Sequence, residues 1–247
     1  VPDPSATTGR GLRVHPALVA AAEMPGEVRA WQGVPQSYEC TEHLTLTGAA
    51  RSAPGTRTWI VPAFAHPVGT ATMLPGLGAE HRRLMQLYPR LAVLTAMIHD
   101  ETSGAVRPSG ELGVELDYWP DAADRAELLF GLEACARLLF AAGARRVFLP
   151  TDPVTELSPS DPWPRLTLTR GSMPVTAVHP MASVPMGDDP RASAVGSDGA
   201  HHHVQGLWVA DGSLFPTSIG VPPQLSIYAV GLHVGRAIAS RAARGRA

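Results

Sequence analysis

The sequence predicts an α+β fold in which an antiparallel sheet is flanked by helices. Three observations favour this class. Gly and Pro interrupt the first hundred residues at short intervals, residues 91–119 resemble three strands separated by turns, and two later segments have apolar residues at helical spacing. A chain of 247 residues that is 45% hydrophobic is also long enough to bury a substantial core.

The first half of the chain is predicted to form mostly strands and loops. Short apolar runs such as "TWIVPAF", residues 58–64, lie between Gly and Pro residues, which favours strands over long helices. One short helix is expected in "GLGAEHRRLMQLYP", where Leu84, Leu87 and Tyr88 have helical spacing before Pro89. Residues 91–119 then predict strand, turn, strand, turn and strand, with turns at the Ser-Gly pairs that begin at residues 103 and 109.

Residues 121–146 give the clearest helical pattern. Asp121 is a candidate N-cap, Gly143 is suited to the helix end, and an apolar stripe is formed by Leu128, Leu132, Cys135 and Leu139. Cys135 is expected to be a small core residue, because no charged partner that would activate a thiol accompanies it. Farther along, residues 201–213 predict a strand that enters a turn, and residues 223–246 predict a terminal helix with an Arg-rich end.

Composition excludes several classes of function. The net charge is −2, from 20 basic and 22 acidic residues spread along the chain, so no basic stripe indicates nucleic acid and no acidic tail indicates a solvating arm. No apolar run approaches the ~20 residues that span a bilayer. The two cysteines lie far apart, which disfavours a disulfide framework or a zinc site and makes the reducing cytoplasm the default location. The start "VPDPSATTGRGLRVHP" has no initiator Met and reads as mid-chain sequence.

The end of the chain carries an ordered set of motifs. A His-Pro-x-x-x-x-x-Met-Gly run precedes a Val-x-Asp-x-Ser segment, which is followed by Phe-Pro and by a Gly-x-Pro-Pro turn into the last helix. In this order and spacing the motifs resemble the C-terminal signature of the glucose-methanol-choline (GMC) flavoprotein oxidoreductases. Upstream segments, among them "GRGLRVHP" and "WQGVPQS", also look like bacterial members that oxidise larger alcohols. The matching residues are His179, Pro180, Met186, Gly187, Val209, Asp211, Ser213, Phe215, Pro216, Gly220 and Pro223.

The resemblance implies an FAD-dependent oxidoreductase that acts on the CH–OH group of a small-molecule alcohol, and the branch it resembles implies an apolar one. It implies that residues 1–175 are mostly substrate-binding domain and that residues 176–247 contribute to the active site and the FAD-binding domain. The family's dinucleotide-binding unit is expected before Val1, on an N-terminal half or a separate chain. In this sequence "GRGLRV" and "GLGAEH" contain only the first two glycines of GxGxxG, and neither leads from a strand pattern into a helix.

The resemblance also implies the roles of individual residues. His179 would accept the alcohol proton while the carbinol hydride goes to the flavin, because an imidazole that titrates near neutrality suits that step. Asp211 and Gly212 would lie near the ribityl and pyrophosphate part of the cofactor. The main chain at Pro223, Gln224 and Leu225 would lie against the flavin ring, at the positive end of the terminal helix.

One position departs from the family pattern. The family has Asn or His directly before the last proline, whereas this chain has Pro222, which carries no side-chain donor or acceptor. Three interpretations follow: His179 acts alone, another side chain takes over the second role, or the site has lost alcohol oxidation. We favour the first two jointly. The alternative function is a non-catalytic remnant of a GMC flavoenzyme that binds an apolar ligand or a partner chain.

The remaining histidines are not expected to act as catalysts or metal ligands. In a strand His201 and His203 would share a face while His202 points the other way, so the three side chains would not converge on one ion. His66 and His99 are isolated in the sequence, although "FAHP" at residues 64–67 lies where a pocket of the substrate domain is expected. No metal site is therefore predicted.

Overall fold

The computed structural model describes residues 3–34, 36–45, 54–63, 66–74, 76–111 and 113–244. Phe64 of the "TWIVPAF" run and the last residues of the predicted terminal helix lie outside these ranges. Two compact units are present. We call them the sheet unit, which comprises Pro16–Ile98 and Ala122–Thr176, and the motif unit, which comprises Val1–His15, His99–Asp121 and Ala177–Ala247. Within the described ranges, no helix has the length and apolar character needed to cross a membrane.

The sheet unit is built on an antiparallel sheet that has five strands among the described residues. The strand order is β3-β4-β2-β7-β8, and every neighbouring pair is antiparallel, as the sequence predicts for this fold class. Its strands are β2 (Ala17–Glu23), β3 (Thr58–Pro62), β4 (Leu91–Ile98), β7 (Arg146–Leu149) and β8 (Thr155–Leu157). Its helices are α1 (Pro67–Met73), α2 (Ala79–Gln86) and α3 (Ala122–Ala141).

Helix α3 covers one face of this sheet. The predicted stripe is confirmed, because Leu128, Leu132, Cys135 and Leu139 are all buried. The predicted end is confirmed too: Gly143 has φ +90° and donates its N–H to Phe140 O, a conformation that glycine adopts without steric cost. Burial raises the pKa of the Cys135 thiol to about 12, which fits the predicted core role.

The opposite face of the sheet carries α1 and α2. Side chains alternate along a strand, so Ala21 and its neighbours Val93 and Phe148 point away from the face that α3 covers. Leu84 on α2 packs against this second face, and the short helix expected there is confirmed. Helix α1 was not predicted, since its sequence "PVGTATM" lacks apolar residues at helical spacing.

The motif unit contains a small sheet, the last helix and much irregular chain. The small sheet has the order β1-β5-β6, and the strand-turn-strand pattern of residues 91–119 is confirmed. Its elements are β1 (Arg10–Leu12), β5 (Gly104–Ser109), β6 (Gly113–Asp117), a 3-10 turn (Gly212–Leu214) and α4 (Gln224–Arg244).

The strand predicted for residues 201–213 is wrong in detail. This segment forms isolated bridges, including Ala200 to Trp208, and a turn in which Leu207 N donates to Val204 O. Gly206 has φ +79°, a left-handed conformation that interrupts an extended strand. The predicted division at residue 176 lies beside the change of unit, although the motif unit also takes two earlier segments. The assignment of either unit to a substrate or flavin domain stays a prediction.

Candidate functional site

The motif unit brings the sequence motifs together through backbone hydrogen bonds. Three such bonds, of 2.9 to 3.1 Å, join residues 182–186 to residues 212–214. Arg13 and Met181 also exchange two backbone hydrogen bonds of 2.8 and 3.0 Å. The segment that follows His179 therefore lies between the Asp-Gly turn on one side and the N-terminal segment on the other.

His179 lies in irregular chain and is half-buried. Its Nδ1 atom is fully buried, and no hydrogen-bond partner for it exists among the residues that the structure describes. Burial lowers the pKa of the His179 imidazole, because an apolar environment disfavours the charged form. The ring is thus neutral at neutral pH and has a buried nitrogen whose hydrogen bond must come from another molecule or from chain outside the described ranges.

His15 is the nearest aromatic partner that the structure gives to His179. The two ring centroids are 5.4 Å apart and the ring planes are 86° to each other, an edge-to-face arrangement. His15 is 2% exposed, and its Nε2 atom accepts a hydrogen bond of 3.0 Å from the N–H of Gly220. His15 thereby connects the predicted catalytic histidine to the turn that carries Pro222.

Sequence reasoning gave His15 no role. The residue lies in "GRGLRVHP", a segment that contributed to the family resemblance, but nothing in its spacing links it to a motif 164 residues later. The feature that could have drawn attention to His15 is its place in "GRGLRVHP", a segment near the other end of the chain that resembles the same family.

Asp211 and Gly212 form a tight turn. The Asp211 carboxylate accepts hydrogen bonds from the N–H of Ser213 at 2.9 Å and from its hydroxyl at 2.5 Å, so it caps the 3-10 turn that follows. A Cβ atom at Gly212 would lie 3.1 Å from Pro180 O and 3.2 Å from Ile227 Cδ1. This close packing explains why glycine suits the position, whereas the exposed Asp211 is accessible from solvent.

Pro222 and Pro223 lead directly into α4. Pro223 is buried and its carbonyl accepts the N–H of Ile227 at 2.8 Å, which forms the first turn of the helix. The half-buried Pro222 has no side-chain group that could hydrogen-bond a substrate. Gln224 is exposed and donates from Nε2 to the hydroxyl of Tyr228 at 2.8 Å, and Leu225 is 81% exposed. The predicted flavin-facing residues therefore lie at an accessible helix start.

Two further side chains of the motif unit have buried polar atoms without a partner in the described part of the chain. They are Arg13, at Nε and Nη1, and Ser218, at Oγ. Ser218 is 1% exposed and lies two residues before Gly220. Buried polar groups are normally hydrogen-bonded, and an unpaired one costs about 1–3 kcal/mol. With Nδ1 of His179, these are the buried side-chain atoms of the motif unit that have no hydrogen-bond partner within the described ranges.

The His201–His203 run has local hydrogen bonds instead of a common focus. The Nδ1 atom of His201 accepts the N–H of His203 at 3.1 Å, and Nε2 of His202 lies 2.9 Å from Gly187 O. Across the described ranges, no group of three His, Cys, Asp or Glu side chains is arranged to hold a metal ion. His66 precedes α1 in the sheet unit, and His99 is buried in the motif unit.

The sheet unit contains an apolar pocket on the face opposite α3. Its volume is about 170 Å³, and nearly all of its lining is aliphatic or aromatic, with Thr70 the polar exception among the described lining residues. The strand residues that form its floor include Val19, Ala21 and Val93. Such a cavity favours an apolar ligand.

Comparison with known proteins places this chain among oxidoreductases. The family model described as GMC oxidoreductase, C-terminal part, matches residues 101–231. A GMC-type oxidoreductase of Mycobacterium tuberculosis is 34% identical over 230 residues, which is 92% of this chain and 35% of that protein. A long-chain-alcohol oxidase of Arabidopsis thaliana is 27% identical over 246 residues, covering 92% of this chain and 33% of that protein.

Solved structures show the same fold. Pyridoxine 4-oxidase from Mesorbium loti superposes with a TM-score of 0.59 at 20% identity, over 94% of this chain and 43% of that one. A formate oxidase of Aspergillus oryzae, studied for its FAD modification, gives a TM-score of 0.65 at 13% identity over 96% and 48%. The chain spans about a third of the length of the first curated relatives it matches.

Proposed function

This chain belongs to the GMC oxidoreductase family, and from that premise we propose that it is the C-terminal part of an FAD-dependent enzyme that oxidises the CH–OH group of an alcohol. The observation that carries the proposal is the state of His179. Its imidazole is kept neutral by burial, it lies beside the Pro180 to Gly187 motif, and its Nδ1 atom has no partner among the described residues. Such a group is suited to exchanging a proton with a bound alcohol.

Arg13 and Ser218 of the motif unit suit the polar edge of FAD. Buried nitrogen atoms of Arg13 and the hydroxyl of Ser218 have no partner in the described ranges, so they are available to the polar edge of a cofactor. Gly212 has no room for a side chain because it packs against Pro180 and Ile227, which fixes the turn beside the His179 motif. These residues, together with Asp211 and the main chain at Pro223, Gln224 and Leu225, would hold the cofactor.

The proposed reaction divides the work between the cofactor and this chain. FAD, when bound, supplies the acceptor for the hydride that leaves the carbinol carbon. A ring nitrogen of His179 accepts the proton of the alcohol hydroxyl. The start of α4 adds the partial positive charge of a helix N-terminus, which favours negative charge near Gln224. Pro222 contributes no hydrogen bond to this step.

An apolar alcohol is the substrate class that we propose. The pocket on the sheet unit supports it, because its lining residues are almost all apolar. The long-chain-alcohol oxidases among the relatives point the same way. A more polar substrate is represented among the matches by 6'''-hydroxyparomomycin C oxidase of Streptomyces lividus, which is 32% identical over 138 residues.

A second polypeptide segment completes the FAD site in this proposal. The 247 residues contain no GxGxxG motif, which is the fingerprint with which dinucleotide-binding βαβ units bind a pyrophosphate group. Helix α4 also presents exposed apolar side chains at helical spacing, namely Leu225, Tyr228 and Leu232, at 81%, 62% and 56% exposure. A dinucleotide-binding segment that covers this face would account for both features.

The test is anaerobic photometry of the FAD-loaded protein, expressed from its full reading frame and mixed with 1-alkanols. We expect the flavin to bleach, and His179→Asn to slow bleaching by about a hundredfold to ten-thousandfold, the usual worth of a general base. The matched control is His203→Asn, because His203 is an exposed histidine of the same unit. The logarithm of the rate should level off above a pKa that lies below 6.5, because burial lowers the pKa of His179.

The outcomes are distinct. If His179→Asn bleaches at the wild-type rate, the base assignment is wrong. If the wild-type protein holds FAD but no alcohol bleaches it, alcohol oxidation is wrong. In that case the alternative, a ligand-binding remnant whose second active-site position is filled by Pro222, is favoured.

A further inference from the structure

His15 contacts two separate parts of the candidate site. Its ring meets the ring of His179 edge to face at 5.4 Å, and its Nε2 atom accepts the N–H of Gly220 at 3.0 Å. At 2% exposure it is almost excluded from water. A residue that touches both the histidine and the turn before α4 controls how those two parts are arranged.

The backbone at His15 is held in an unusual conformation. Its φ is +50°, the left-handed region that few residues other than glycine and asparagine adopt. Asp100 holds it there, because its buried carboxylate accepts the N–H groups of Val14 at 3.0 Å and of His15 at 3.3 Å. Tyr118 donates its hydroxyl to the same carboxylate at 2.8 Å. Backbone strain that several hydrogen bonds maintain is typical of functional positions.

The hydrogen bond to Gly220 also defines the tautomer of His15. Because Nε2 accepts an N–H, the proton of the neutral ring must be on Nδ1. Burial, with smaller effects of His179 and His99, lowers the pKa of His15 to about 3, so the ring stays neutral at any physiological pH. The His15 ring therefore keeps a single orientation and a single neutral tautomer.

We propose that His15 is a positioning residue, which aligns the His179 imidazole with the Gly220 turn that leads to Pro222. The inference rests on the proposed function and deepens it. The Nε2 lone pair of His15 holds the N–H of Gly220 in place. The His15 ring, which packs edge to face with the His179 ring, restrains rotation of the His179 side chain.

The arrangement can be tested without the cofactor by long-range proton–nitrogen NMR of the protein labelled at its histidines. We expect one histidine to remain the neutral Nδ1–H tautomer down to about pH 4, and its signal to vanish in His15→Gln. The His179 signal should shift in the same variant. The control is His202→Gln, which alters another turn-bound histidine of the motif unit, and it should leave the His179 signal unchanged.

Kinetics of the FAD-loaded protein test the consequence. His15→Asn suits a positive φ but its shorter side chain cannot reach Gly220, whereas Gln places an oxygen near the position of Nε2. We expect His15→Asn to slow flavin reduction between about tenfold and about a hundredfold, with the alcohol dissociation constant changed less than about threefold. His15→Gln should recover a large part of the rate, and His202→Gln should match the wild type.

Each result decides the matter. Wild-type flavin reduction in His15→Asn, an equal loss in His202→Gln, or a His15 ring protonated on Nε2 overturns the proposal. If His15→Asn does not fold, the tautomer of His15 in the wild-type protein still decides it, since a ring protonated on Nε2 could not accept the N–H of Gly220. If the wild-type protein reduces no flavin at all, the proposed function fails, while the NMR measurement independently tests the contact.

Discussion

Arg57 donates from Nη1 to the carboxylate of Asp124 across 2.6 Å, and the two side chains are only 4% and 0% exposed. One helical turn later, the buried carboxylate of Glu127 accepts the N–H groups of Gly55 and Arg57 at 2.8 and 2.9 Å and the hydroxyl of Thr58 at 2.5 Å. These bonds attach the chain that enters β3 to the start of α3. The cluster therefore helps to determine how the helix lies on the sheet.

Replacing one member of this buried pair should be costly. Asp124→Asn removes the charge that balances the Arg57 guanidinium, and the loss of one partner from a buried ion pair typically costs about 3–5 kcal/mol. The matched control is Asp117→Asn, because Asp117 pairs with Arg107 at 2.9 Å with both side chains more than half exposed. That change should cost less than about 1 kcal/mol in urea unfolding. An equal loss of unfolding free energy in the two variants would contradict the structural role of the buried pair.

Acid should destabilise the protein through His15. The folded-state pKa of about 3 lies below the ordinary histidine value of 6.5, so the unfolded chain binds the proton first as the pH falls. The stability that neutral His15 contributes is therefore fully present above pH 6.5. Between pH 6.5 and about 3, the free energy of unfolding decreases by about 1.4 kcal/mol per pH unit. His15→Gln does not titrate, so the difference in unfolding free energy between wild type and variant should narrow across that window. Parallel stability curves from urea unfolding at pH 7, 6, 5 and 4 would argue against it.

The sequence was sufficient to predict the elements whose pattern is local. The α3 stripe from Leu128 to Leu139 could be predicted because helical geometry places every third or fourth residue on one face, and burial follows that spacing. The order of motifs from His179 to Pro223 likewise located the candidate site in one unit of the structure.

Features that depend on long-range contacts could not be predicted. The meeting of His15 and His179 joins residues that lie far apart in the chain, and no periodicity encodes such a contact. The strand expected for residues 201–213 failed because turn formation at Gly206 outweighed the apolar alternation around it. The burial of His179 Nδ1 without a partner among the described residues is also a property of the folded environment, and no sequence pattern predicts it.

From the proposal that the apolar pocket of the sheet unit holds the alkyl chain of the substrate, we expect a dependence on the chain length of the alcohol. Each buried methylene contributes about 0.8 kcal/mol, so kcat/KM for 1-alkanols should rise about fourfold per carbon until the pocket is filled. Val93→Thr keeps the side-chain shape but places a hydroxyl in the lining, and it should lower kcat/KM for the longer alcohols about tenfold. Val114→Thr is the control, because Val114 is 69% exposed in the other unit. A rate that is independent of chain length would mean that this pocket does not bind the substrate.

Two glycines in long helices should respond in opposite directions to the same substitution. A Cβ atom at Gly131 of α3 would lie 2.7 Å from Ala96 Cβ and 3.0 Å from Thr58 Cγ2, which is closer than packed atoms approach. Gly131→Ala should therefore force α3 away from the sheet and destabilise the protein by about 1–3 kcal/mol, despite the better helix propensity of alanine.

Gly235 of α4 provides the comparison. A Cβ atom there would meet nothing within 4 Å in the part of the chain that the structure describes, so Gly235→Ala should gain up to about 1 kcal/mol from helix propensity. Thermal and urea unfolding of both variants give the two signs directly. Because the chemical change is identical, opposite shifts isolate the contact between α3 and the sheet, and a gain in stability for Gly131→Ala would show that the helix does not approach β3 and β4 as closely as the structure has it.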